Sequence, residues 1–415
     1  MRKGSTVPAI PAIVLGVDSP IGLAIVRSLG KHGVVVHAIG GNAGAIGLAS
    51  RYATHSYIRA TDETALIRQL LELRAETGPA CLFTVSEGDI TLLNRHRDAL
   101  AGYTLLFPED TQMKDVLDKG RTYGFARTVG IHVPATVHIS SIAQVAEHCK
   151  DLQFPVVLKW ADPNAVIKHL EAAGLEFEKM HYCFDLVELR DYLQRFSALG
   201  IYPMIQEYCP GVGLGQFFLM SHGEVLASFQ HQRLHEWPPE GGISTLCESL
   251  PLDSHSELLQ RSVALLRAMR WEGVAMVEYR YDPGSGKAAL MEVNGRYWGS
   301  LPLACQAGAE FPWYAYCALG MRQPVRPVLY RTGMRCRFLV PELKRVFRLA
   351  FRRHHISDPM FQESAWRAFG SVIAGFLDPR MRYYVFMLSD PAPFFRDIYN
   401  VVAGAALSLL GQKRR

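Results

Sequence analysis

Two apolar runs with strict alternation lie close together near the middle of the chain, and they constrain the fold more than any other feature. GVAMVEYRYD covers 273–282 and ALMEVNGRYWG covers 289–299. Each reads as a strand, and Asp282-Pro-Gly-Ser-Gly286 between them reads as a turn, so the pair predicts an antiparallel hairpin. Alternation sends Glu292, Asn294 and Arg296 to one face and brings Glu278 to the neighbouring position. Two carboxylates side by side repel unless a cation sits between them. Carboxylate and amide oxygens are hard ligands suited to Mg²⁺, and a guanidinium two residues on suits a phosphoryl group. A hairpin facing water would leave the same carboxylates solvated, so the motif needs support from elsewhere in the chain.

That support is spread over most of the sequence. PVVLKW at 155–160 fits a buried strand presenting Lys159 near its end, and DVLDKGRTYGFARTVGIHVPAT places Lys119 on a short helix that stops at Gly130. PMIQEYCPG at 203–211 fits an extended segment, which leaves the backbone N–H and C=O groups of Gln206 to Cys209 open to a ligand. In FQHQRLHEWPPEGGISTLCES, Arg233 falls on a strand, and Glu240-Gly241-Gly242 forms a turn that allows close backbone approach. Taken in order, these segments resemble the ATP-grasp superfamily. They are most similar to its branch of predicted bacterial carboxylate-amine ligases, or carboligases, which are akin to carbamoyl-phosphate synthetase and D-aspartate ligase.

The resemblance implies ATP and Mg²⁺ as cofactors, with Mn²⁺ as an alternative ion. It makes Glu278, Glu292 and Asn294 the metal ligands and Lys119, Lys159 and the hinge residues Gln206, Glu207 and Cys209 the nucleotide contacts. Arg233 would neutralise phosphate charge and Arg296 would meet the migrating phosphoryl group. One departure stands out. Where many members have a glycine-rich loop over the phosphates, residues 161–185 hold one glycine and the lysines Lys168 and Lys179. A lid here would act through cationic side chains, with Lys179 as its phosphate contact.

The expected fold is α/β and α+β. Residues 1–112 alternate strand and helix, from AIVLGV to DITLLNRHRDAL, as in a small doubly wound domain of the kind that precedes ATP-grasp lobes. Asp18, Ser19 and Glu87 lie at strand ends, either at a ligand edge or as helix caps. The Gly16-to-Gly22 turn lacks G-x-G spacing, which weighs against a nicotinamide cofactor. Residues 113–320 would form the two nucleotide-binding and catalytic lobes, and 321–415 a basic, mainly helical tail.

Of the chain's 44 Lys and Arg and 39 Asp and Glu, the tail holds 17 and 6, which leaves the rest net acidic. Its KRVFRLAFRRHH would gather Val346, Phe347, Leu349 and Ala350 on one helix face with arginines flanking them. Such a helix can pack on the lobes, meet acidic substrates or rest on anionic membrane. No stacking aromatics are interleaved as nucleic-acid binding would need.

The 415 residues, 49% of them apolar, suffice for several cores, and eight cysteines without C-x-x-C spacing favour reduced thiols. Two prolines and an immediate turn make the N-terminus a first strand rather than a signal peptide. The expectation is a cytoplasmic enzyme, peripheral at the inner membrane face if the tail binds lipid, with small-molecule carboxylate and amine substrates. A homodimer is left open, as is a noncatalytic nucleotide-binding module serving a membrane assembly.

Overall fold

The computed structural model describes residues 10–412 except 161–162, 179, 240, 327–328, 354–355, 357–360 and 362. The chain opens with five parallel strands: β1 (Ala12–Leu15), β2 (Val36–Gly40), β3 (His55–Ile58), β4 (Ala80–Thr84) and β5 (Tyr103–Leu105), in the order β3-β2-β1-β4-β5. β1, β2 and β4 are buried along their whole length, as expected of a parallel sheet covered on both faces. Helices Pro20–Lys31, Glu63–Thr77 and Glu87–Arg95 follow β1, β3 and β4. Ser19, Asp62 and Ser86 cap them by accepting backbone N–H bonds. The doubly wound expectation holds, with β3 and β5 added to the strands apparent in the sequence.

A small antiparallel sheet follows: β6 (Thr136–Val137), β7 (Val156–Lys159), β8 (His181–Cys183) and β9 (Met204–Glu207), ordered β6-β9-β7-β8. It has its own core around Val156, Leu158, Leu189, Phe196 and Ile205. Where a glycine-rich loop is common, the chain forms the helix Pro163–Ala172. Lys179 lies outside the described residues.

The large sheet runs β14-β13-β10-β11-β12-β15-β16. Its strands are β10 (Val212–Ser221), β11 (Glu224–Trp237), β12 (Ile243–Ser249), β13 (Gly273–Tyr281), β14 (Ala288–Asn294), β15 (Arg335–Arg337) and β16 (Met381–Tyr383). The predicted hairpin is β13–β14, with Glu278 opposite Glu292. Asp282 closes its turn by accepting from Gly284 N and Ser285 Oγ. One core joins the first parallel sheet to the large sheet through Phe83, Phe217, Trp298 and Phe311.

The C-terminal region is helical at Leu339–Phe351, Ala365–Leu377 and Ala392–Gln412, yet it also supplies β15 and β16 to the large sheet. It is therefore built into the body of the large sheet. The run read as a helix in the sequence, 344–355, is helical up to Phe351 within Leu339–Phe351, but its faces differ from the pattern read there. Pro341, Glu342, Arg345 and Leu349 are buried, whereas Phe347 is exposed. The reason is polar: Glu342 accepts from His235 at 2.6 Å and Thr245 at 2.5 Å, and Arg345 donates to Glu342 at 3.2 Å and pairs with Glu363. Burial works to raise the Glu342 carboxyl, but these partners outweigh it and hold it below its ordinary value. Among the described residues no helix is long and apolar enough to cross a membrane.

A second buried ion pair ties this region to the first domain. Arg27 Nε donates to Asp390 at 2.8 Å, and Ser50 Oγ and Arg51 N add bonds to the same carboxylate at 2.7 and 2.9 Å. Removing one member of such a pair leaves a buried charge without its partner, which costs about 3–5 kcal/mol. Asp390→Ala should therefore lower the thermal unfolding midpoint by several degrees. An unchanged midpoint would mean that the pair does not hold these parts together.

Candidate functional site

A cavity of about 490 Å³ lies where the small and large sheets meet. Lys119, Lys159, Gln206, Glu207, Cys209, Arg233, Glu278, Glu292 and Asn294 all line it. Nine of the eleven residues singled out in the sequence thus share one space; the other two are Lys179 and Arg296.

Lys159 on the small sheet and Lys119 on a helix beside it bring cations to the cavity. Lys159 ends β7, and its Nζ lies 3.4 Å from Gln206 Oε1 on β9. Lys119 begins the helix Lys119–Thr128, for which Asp118 is the N-cap. Burial draws the Lys159 ammonium down to about 8, and the neighbouring charges of Lys119 and Arg280 add to the shift. Three cations near one another favour an anionic ligand. The hinge follows β9: Glu207 N donates to Ala135 O at 2.8 Å, and Ala135 N donates to Glu207 Oε2 at 3.0 Å. Burial pushes the Cys209 thiol up to about 11, so the sulfur is not a ready nucleophile. His132, Glu207 and Cys209 bring donor atoms within 4.8 Å of one another, but Ala135 already engages the Glu207 carboxylate.

The large sheet supplies the carboxylates. Glu278 and Glu292 face each other across β13 and β14, and Asn294 Nδ2 donates to Glu292 Oε1 at 2.8 Å. Burial pushes Glu278 up to about 7 against the pull of Arg233, with Glu292 and Glu236 adding to the rise. Two carboxylates and an amide form an all-oxygen donor set that fits Mg²⁺ or Mn²⁺.

Arg233 is placed differently from the expectation that it stands among phosphates. Its guanidinium pairs with Glu278 at 2.6 Å and Glu236 at 3.6 Å, and it donates to Gly242 O at 3.2 Å. Gly213 on β10 makes room for it, since a Cβ there would meet Arg233 Cδ at 2.7 Å. Gly241 and Gly242 line the cavity as expected, while Glu240 lies outside the described residues. Arg296 does not line the cavity. β14 ends at Asn294 and the chain bends at Gly295, which must lack a side chain because Trp271 packs on it. The alternation that would have carried Arg296 to the shared face stops there. Its Nε donates to Glu87 at 3.1 Å, and Glu87 lines the cavity. Ser19 is a helix cap, and Asp18 accepts both of its bonds from Gly41 N.

Two further lining residues, Arg280 and Glu236, were not among the sequence candidates. Arg280 follows from the alternation that selected Glu278, two residues earlier on β13. Glu236 does not, because register shifts in the pairing of β11 with β12 on either side of His235 break the alternation after Arg233. No spacing rule anticipates that.

Comparison with known proteins bears on the fold. Residues 204–339 match the family model described as ATP-grasp in the biosynthetic pathway with Ter operon. No curated protein matches the chain. Among solved structures, an ADP complex of N5-carboxyaminoimidazole ribonucleotide synthetase aligns with a TM-score of 0.61 and 13% identity, over 83% of this chain and 86% of that one. The biotin carboxylase domain of Hydrogenobacter thermophilus 2-oxoglutarate carboxylase, a dimer with MgADP, ADP and bicarbonate, aligns at 0.58 and 12% over 79% and 74%. L-amino acid ligase from Bacillus licheniformis aligns at 0.54 and 15% over 77% and 75%. At such identities the structural likeness speaks for the fold. Together with the family match over residues 204–339, it gives the chain an ATP-grasp fold.

The two shifted groups set a pH window. A protonated Glu278 cannot ligate a cation, and that form prevails below about 7; Lys159 loses its charge above about 8. Affinity for MgADP, measured by calorimetry, should peak between these values and fall on both sides, by up to about tenfold per pH unit. Glu278→Gln should remove the acid limb and keep the alkaline one. A flat profile from pH 6 to 9 would contradict the placement of both groups at the ligand.

Proposed function

We propose that the protein is an ATP-dependent carboxylate-amine ligase that forms an amide-type bond through an acyl phosphate and releases ADP and phosphate. The observation that carries this reading is the convergence of Lys119, Lys159, Glu278, Glu292 and Asn294 on one cavity beside an extended hinge. The backbone of Gln206 to Cys209 would hold adenine, leaving the phosphates to run toward the cations. Lys119 and Lys159 would neutralise phosphate oxygens. Glu278, Glu292 and Asn294 would hold Mg²⁺, which when bound supplies positive charge to the phosphates and relieves the repulsion between the two carboxylates.

In the proposed reaction a substrate carboxylate oxygen bonds to the γ-phosphorus as the bond to ADP breaks. An amine nitrogen then bonds to the acyl carbon, inorganic phosphate leaves, and the amine proton passes to solvent. No protein nucleophile is needed. Arg233, braced by Glu236, would steady Glu278, and it would turn to phosphate as the cation takes over that carboxylate. Arg296, held by Glu87 at the cavity edge, would meet the migrating phosphoryl group. Stabilisation of charge that develops only in the transition state is where such a guanidinium gains most.

The proposed partners are small-molecule carboxylates and amines, with no nucleic acid. The proposed location is cytoplasmic, with peripheral contact between the basic C-terminal region and anionic membrane. A noncatalytic nucleotide-binding module would need the hinge and lysines but not two opposed carboxylates, and that weighs for the enzyme.

The nucleotide product discriminates among mechanisms. With a productive acid and amine pair, chromatography should show ADP and phosphate in step with ligation; stoichiometric AMP and pyrophosphate would overturn the acyl-phosphate route. Glu292→Gln should reduce turnover by about two to three orders of magnitude with an unchanged circular dichroism spectrum. Arg296→Ala should retain ATP binding and lose the chemical step. Full activity in either variant would remove that residue from the mechanism.

A further inference from the structure

The C-terminal region carries a surface that the nucleotide cavity does not use. The helix Ala365–Leu377, AWRAFGSVIAGFL, has a single charged residue, Arg367. Helices apolar on all sides belong in a core or a bilayer. This one buries only Ala368, Val372 and Gly375, while Trp366 is 85% exposed, Leu377 84%, and Phe369, Ile373 and Phe376 at least half. Its inner face is pinned. Arg337, itself buried, donates to the carbonyls of Ser371 and Val372 at 3.1 Å, and a Cβ at Gly375 would lie 2.4 Å from that guanidinium. The apolar stripe therefore cannot roll inward.

The neighbouring helix Leu339–Phe351 continues the surface. It exposes Leu343, Phe347 and Phe351, and with Trp237 it walls a cavity of about 600 Å³ that is also lined by Lys344, Arg348 and Arg352. Arg348 stands 5.0 Å over the Trp237 ring. Of the neighbouring carboxylates, Asp397 lies near Lys344, and Glu363 is engaged by Arg345. On the other side an aromatic chain runs Phe376, Tyr383, Phe386, Phe394, Phe395, with successive ring centroids 5.3–6.2 Å apart, to the helix Ala392–Gln412 and its exposed Tyr399 and Val402.

We propose that these helices form a docking face for an anionic phospholipid bilayer. The stripe from Trp366 to Leu377 enters the headgroup–acyl boundary, and Lys344, Arg348 and Arg352 receive lipid phosphates. The inference rests on the peripheral contact already proposed and changes its nature, from adhesion by charge to insertion of a rigid apolar ridge. Charge decides the occupant. A second copy of the chain would bring the same cations against one another, whereas an anionic bilayer meets the cations and the aromatics at the depths where each is favoured. No described helix can span, so the contact lies in the plane of the interface.

The test uses the full chain with vesicles of phosphatidylcholine alone or mixed with phosphatidylglycerol. Sedimentation should show binding to the mixed vesicles that high salt weakens without abolishing. Fluorescence should be quenched by brominated acyl chains, and Trp366→Phe should remove most of that quenching while binding persists. Phe369→Glu with Ile373→Glu, both on the exposed face, should lower partitioning by at least an order of magnitude and leave ATP turnover in vesicle-free solution unchanged. Triple replacement of Lys344, Arg348 and Arg352 by Ala should abolish the preference for anionic lipid. Binding fully released by salt, with no quenching, would overturn insertion while leaving a contact by charge in place. Absence of vesicle binding would overturn both readings. A dimer in solution that the double Glu variant dissolves would identify the occupant as a second copy and overturn the proposal.

Discussion

The half-buried carboxylate pair Glu278–Glu292 is the constraint around which the site is arranged. Strand register forces it, because β13 and β14 align those two positions. Arg233 compensates one member at 2.6 Å, and Glu236 holds the other side of the guanidinium. The cluster then has three carboxylates about one nearby arginine, with Arg280 3.7 Å from Glu236 at its edge. That balance leaves room for a cation, while burial, with Glu292 and Glu236 adding to it, pushes Glu278 up in spite of a close arginine. At Lys159 the imbalance has the opposite sign, since burial and then the neighbouring charges of Lys119 and Arg280 draw its ammonium down. A ligand carrying several negative charges together with a divalent cation satisfies both walls at once.

The C-terminal region is held by ionic contacts that are buried and therefore specific. Asp390 is fixed by Arg27, Ser50 and the Arg51 amide, and Glu342 by His235, Thr245 and Arg345. Burying such groups is costly unless each finds its partners, and these do. Apolar packing alone would allow the helices to slide on the sheet. Paired charges allow one arrangement, and in that arrangement a row of large apolar side chains points away from the protein.

Periodicity made the regular parts of the fold legible. The β13–β14 hairpin, the strands bearing Lys159 and Gln206, and the helices of the first domain all follow from spacing, caps and turn residues such as Asp282 and Gly286. Site residues on regular strands were found for the same reason: Glu278, Glu292 and Asn294 obey simple alternation. The misplacements occur where regularity ends. Arg296 sits past the bend at Gly295, and Phe347 and Arg345 exchange the faces that hydrophobicity would assign them because Glu342 needs buried partners. β15 and β16 are three residues each, too short to show a period, and their membership in the sheet depends on contacts distant in sequence.

The irregular stretch of β11 has a further consequence. Strict alternation would put Arg233, His235 and Trp237 on one face and Glu236 on the other. The register shifts about His235 instead turn Arg233 and Glu236 into the nucleotide cavity, while His235 engages Glu342 and Trp237 lines the basic, aromatic cavity beside the helix Leu339–Phe351. Four adjoining residues thus serve two surfaces. A displacement of that helix by a ligand at its outer face would act on His235 through a 2.6 Å hydrogen bond, and His235 is one residue from Glu236 and two from Arg233. The distance between the docking face and the residues that brace Glu278 is therefore a single irregular turn of strand.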